Sequence, residues 1–187
     1  MYRLLGPHVN HTHGGIPEFV AAWQPPVAVI LDPTDAWAWV PSATPRTRFV
    51  WRWWLDDQNI DFNQPLNPAQ AARDHLARIW RRLQPWMTGY VQGTNETVIG
   101  SAEAMARYAD FEAERTRLLA DRGYKAALGS FAVGNPPDLS WWQQFLPALE
   151  AGRQYGACLS LHEYDWPVLL ATDAAWYTLR HRKVYDG

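Results

Sequence analysis

The sequence predicts an α/β fold, a (β/α) TIM-barrel-like arrangement that is incomplete, with about six parallel strands and helices outside. Three observations lead there. Short apolar runs recur along the 187 residues, and most are near-continuous rather than alternating, as in strands covered on both faces of a parallel sheet. Segments of helical periodicity separate them, which gives βαβα order. Polar residues gather just after the runs, where (β/α) barrels build their sites. A Gly-rich phosphate loop after the first strand would mark a doubly wound sheet. Asn10-His11-Thr12-His13-Gly14-Gly15 is not one.

The expected strands are 6–10, 27–33, 48–54, 89–96, 126–132 and 156–162. A short helix is expected over Pro17–Trp23. The connection between the second and third strands is brief and Pro-rich, with room for one helical turn. Asn67-Pro68 opens the next helix, with Asn as N-cap and Pro in the first turn. Its apolar stripe is Ala72, Leu76, Ile79, Trp80 and Leu83. Residues 101–121 form a long helix with Met105, Tyr108, Phe111 and Leu118 inward and Gly123 as its stop. A helix over 138–150 contains Pro147, which should kink or shorten it. A last helix is expected over 168–180.

Length argues for one domain spanning 1–187. With 48% apolar and 19% charged residues the chain is not of disordered composition. A net charge of −2 argues against a general nucleic-acid or membrane-surface binder. No apolar run reaches the roughly 18 residues of a membrane-spanning helix. The N-terminus lacks a signal-peptide core, and the compartment is not specified. Cys158 is the single cysteine and reads as a small buried hydrophobe. Twelve Trp stand out. Most are expected in the core, with one or two, Trp53 among them, stacking on a ligand. Trp51 and Trp53 should face one side of their strand and Trp54 the other.

The residues after the strand ends are His8 and Asn10, Asp32, Arg52, Asn95 and Glu96, Asn135, and His162 and Tyr164. Within this set, Thr94-Asn95-Glu96 resembles the Asn-Glu pair of the retaining (β/α)8 glycoside hydrolases, the cellulase-like group, and His162-Glu163-Tyr164 resembles their His-x-Tyr pattern. The resemblance covers the first six βα units. It implies Glu96 as general acid/base, Asn95 and His162 as sugar-binding residues, Tyr164 as the group orienting the nucleophile, and Arg52 as a supporting arginine. In that group the nucleophilic Glu follows a seventh strand. No Glu occurs after position 163 here, so the chain reads as a barrel cut before that strand.

Glycoside cleavage needs a proton donor on the leaving oxygen and a second carboxylate, about 5–5.5 Å away for retention and further for inversion. Glu96 precedes Val98 and Ile99, which predicts the apolar setting a donor requires. Glu163 is the leading second carboxylate, with Asp32 and Asp165 behind it, although its side chain should point away from those of His162 and Tyr164. Asn10, His8 and Asn135 complete the expected substrate contacts. Plainer roles compete: Glu96 as a helix cap, His162 as a core histidine, Asp32 and Asn135 as turn formers. His8, His11 and His13 have ligand-like spacing, but no carboxylate motif adjoins them, so no metal and no cofactor is expected. The expected partner is a carbohydrate. The open sheet edges call for self-association or a further covering segment. The alternative function is a non-catalytic carbohydrate-binding or self-assembling structural protein.

Overall fold

The computed structural model describes residues 6–10, 14–55 and 60–162. His11, His13, Glu163, Tyr164, Asp165, Trp166 and the helix expected over 168–180 lie outside the described residues. The six strands are β1 (His8–Val9), β2 (Val27–Leu31), β3 (Arg48–Arg52), β4 (Tyr90–Gln92), β5 (Lys125–Phe131) and β6 (Cys158–Leu161). They pair in sequence order, every pair parallel. The sheet curls into a half-barrel alternating with helices, an incomplete TIM-like barrel.

The helices are α1 (Ile16–Trp23), α2 (Val40–Ala43), α3 (Pro68–Ile79), α4 (Ala102–Ala120) and α5 (Leu146–Tyr155). The β2–β3 connection holds only a 3-10 turn and the four-residue α2. Asn67 caps α3 by accepting the Gln70 N–H at 3.0 Å, and Ser101 caps α4 by accepting that of Ala104 at 3.1 Å. Glu96 is therefore not the cap of α4, the helix that follows it.

Strand alternation sorts the sheet into two faces. Ala28, Ile30, Phe49, Trp51, Val91, Ala126 and Leu128 are buried on the helix side. A second cluster, built on Phe62, Tyr108, Phe111, Phe131 and Phe145, packs α3, α4 and the segment before α5 together. On the concave face, register aligns His8 with Val29, Val29 with Val50, and Val50 with Tyr90. Arg52 and Gln92 stand two residues further along β3 and β4, on the same face. In β2, Val27, Val29 and Leu31 are only half-buried. The expectation of strands covered on both faces fails there, because an open arc leaves its inner wall partly uncovered.

Several boundaries differ from the sequence expectation. The helix placed over 138–150 is a 3-10 segment, Leu139–Phe145, followed by α5. The α-helix is thus shorter at its N-terminal side than expected: it begins at Leu146, with Pro147 in its first turn, where the missing N–H costs nothing. Strand β4 ends at Gln92 rather than Glu96. Beyond it the Arg115 guanidinium lies 2.9 Å from where a Gly93 Cβ would be, and its Nη1 donates to the Val91 carbonyl at 3.1 Å. The chain returns to the sheet only where Thr97 bridges Phe131.

Candidate active site at the carboxyl rim

Parallel strands put all their carboxyl ends on one rim. Three residues there hold left-handed backbones without being glycine: Asp32 (φ 48°), just after β2; Glu96 (φ 47°), in the loop after β4; and Ser130 (φ 48°), near the end of β5. Such conformations cost of order 1 kcal/mol or more each and gather at functional sites. At Ser130 the register between β5 and β6 shifts, and its buried Oγ has no hydrogen-bond partner.

The turn at Glu96 directs its carboxylate to His162, which follows β6. Glu96 Oε1 lies 3.3 Å from His162 Nδ1, and Gln92 Nε2 lies 3.5 Å from His162 Nε2. The Gln92 amide can only donate to a ring nitrogen. Nε2 is then the acceptor and Nδ1–H donates to Glu96. Both contacts are long, hence weak. This tautomer is neutral, in keeping with a His162 pKa lowered mainly by burial, against the opposing hydrogen bond to Glu96, with Arg52 adding to the lowering. Glu96 itself is half-exposed, at 40% of its side chain, against 16% for His162.

His8 and Arg52 reach the same rim from β1 and β3. Burial lowers the His8 pKa, and the charge of Arg52 and the ring of His162 lower it further. Arg52 is 5% exposed, and its shielded Nε has no hydrogen-bond partner. Desolvation lowers its pKa, while Glu96 and Asp32 act in the opposite sense. Five polar side chains from four strand ends thus converge: His8, Arg52, Gln92, Glu96 and His162. The apolar setting expected around Glu96 is absent. Ile99 turns into the core, Val98 into solvent, and the neighbours of Glu96 are an imidazole and a guanidinium.

The other expected site residues are placed differently. Asn95 adjoins the site, and its buried Oδ1 lacks a partner. Asn10 is exposed beyond β1. Asn135 is a structural clasp: its Oδ1 accepts the Ile99 N–H at 2.8 Å and its Nδ2 donates to the Ile99 carbonyl at 3.1 Å. Trp53 packs with Trp51 in the helix-side core and is 5% exposed. Trp54 is exposed, as its opposite orientation predicts. Trp53 also borders a cavity of about 310 Å³, lined besides by Asp32, Asp35, Arg82 and Trp86. Asp32, in the lining of that cavity, is also one of the acids whose field reaches Arg52. Asp32 itself accepts the Trp54 N–H at 3.0 Å and lies 3.8 Å from Arg82 Nη1.

Sequence reasoning missed Gln92. Its signal was a lone amide at an inward position of an otherwise apolar strand. Among the described residues no group of three His, Cys, Asp or Glu is placed to hold a metal ion. Cys158 is half-buried on β6, and burial pushes its thiol up to about 11, so it is no ready nucleophile.

Fold and rim together define an incomplete TIM-like barrel with a polar cluster at its carboxyl end. No protein-family model, curated protein or solved structure matches the chain.

Proposed function

We propose that the rim is a carbohydrate site of glycoside hydrolase type, with Glu96 as general acid/base. The observation that carries this reading is the Glu96–His162 contact at 3.3 Å, made at the carboxyl rim by residues that follow β4 and β6, two βα units apart in sequence. A carboxyl that is half-exposed and oriented by a neutral imidazole has the access needed to protonate a leaving oxygen. Gln92 faces the other ring nitrogen, and His8, Arg52 and Asn95 supply further contacts to sugar hydroxyls. Glu163 and Tyr164 follow His162 directly in sequence and stand as the second carboxylate and its orienting phenol.

Glu96→Gln tests the reading. General acid catalysis is worth about 10²–10⁴-fold. The variant should lose that much kcat/KM on alkyl glycosides, whose leaving groups need a proton, while retaining sugar binding. Equal turnover by both forms would remove Glu96 from the chemistry. Sugar binding without turnover in either form would identify a binding module instead.

A further inference from the structure

We propose that the rim selects an acidic sugar, a uronate-type glycoside whose carboxylate is received by the Arg52 guanidinium. The sugar half of this inference rests on the reading just given; the anion half rests on Arg52 alone. A guanidinium removed from water is costly unless hydrogen-bonded acceptors replace the lost hydration. Arg52 is almost wholly removed, and its Nε donor is unused.

Among the described residues, the acidic groups whose fields reach it are Asp32, after β2, and Glu96, after β4. Asp32 is engaged by Trp54 and faces Arg82. Glu96 is turned toward His162. Among the described residues, the further titratable groups in the field of Arg52 are His8 and His162, and both are pushed toward their neutral forms, with Arg52 among the causes in each. Among the described residues the rim therefore holds a buried guanidinium with an unused Nε donor, neutral imidazole and amide groups beside it, and two carboxylates, Asp32 and Glu96, that each hold other contacts as well. A planar carboxylate suits the guanidinium fork, which can engage both its oxygens at once.

The test compares the affinity of the full chain for D-glucuronate, D-glucose and acetate by calorimetry, with the histidine resonances followed by NMR. D-Glucuronate should bind at least tenfold more tightly than D-glucose. The His8 and His162 titrations should move to higher pH when it binds, because a bound anion offsets the field of Arg52. Arg52→Met should abolish the preference, and Arg52→Lys should keep only part of it. Should the variants fail to fold, the wild-type affinity ratio and the histidine shifts decide alone. Equal affinity for the two sugars overturns the anion proposal and leaves the carbohydrate reading standing. Arg52-dependent acetate binding with no gain from the sugar ring supports the anion site and overturns the sugar. No binding of any probe overturns the proposal.

Discussion

His75 shows what burial does to a single ionisable group in this protein. It lies on α3 with its ring edge-on to Phe111 at 5.8 Å, and its Nε2 has no hydrogen-bond partner. Burial, then the charges of Arg115 and Arg78, push its pKa down to about 3 from 6.5. Between those values the unfolded chain holds a proton that the folded chain does not, so stability falls as pH drops through that window. The slope from this group is about 1.4 kcal/mol per pH unit. Urea unfolding at pH 7 and pH 4.5 should show the loss, and His75→Leu should reduce it. His8 and His162 are shifted in the same direction and account for part of the slope that remains. Ser130 invites a second measurement. Ser130→Gly removes both a left-handed backbone penalty and an unpartnered buried hydroxyl, so it should stabilise by about 1 kcal/mol in urea unfolding. At this scale Glu96 and His162 were legible because polar residues following apolar runs stand out. Gln92 and Ser130 were not, being embedded in those runs. The clasp made by Asn135 depends on Ile99, 36 residues away, which no local pattern announces.

Helix α4 is held to the sheet by charge as well as by apolar packing. Glu112 and Arg115 are fully buried and paired at 2.7 Å. Arg115 also donates to the carbonyls of Val91 and Ala127, tying the helix to β4 and β5. Tyr108 bonds Glu112, the Gly129 carbonyl and Thr94, two residues before Glu96. Thr94 in turn meets Thr97 at 2.5 Å. The loop carrying the candidate acid therefore rests on α4. Glu112→Ala leaves Arg115 buried without its partner and should cost about 3–5 kcal/mol, read as a lower urea midpoint. The double variant Glu112→Leu, Arg115→Met should recover part of that loss, since it removes both charges together. The apolar stripe of α4 was readable from its spacing through Met105, Tyr108 and Phe111, while at its end Leu119 is fully buried and Leu118 only half-buried. Its buried ion pair was not, since Glu and Arg at helical spacing equally describe a solvated face. The start of α5 was missed for a related reason: Pro147 reads as a breaker until a helix is known to begin beside it.

At the scale of the molecule, strand order followed from βα alternation, and the six strands found among the described residues are those expected from the sequence. Curvature was expected only indirectly, from the polar residues gathered after the strand ends, because it depends on how strands tilt against each other rather than on any periodicity. Among the described residues β1 and β6 each pair with one neighbour, and the inner wall between them is only partly covered. Such edges favour pairing with another chain. Sedimentation velocity over a concentration series should show mass above that of a monomer as concentration rises; a constant monomer value would count against association through these edges.

The left-handed backbones at positions 32, 96 and 130 carry a practical warning for anyone engineering this protein. Repeated selection for heat tolerance, applied without regard to ligand, would favour glycine at each of them. The survivors would be sturdier molecules, but substitution at 96 would erase the only group proposed to move a proton. A hardened variant should therefore be checked for retained sugar affinity before it is taken forward as an improvement.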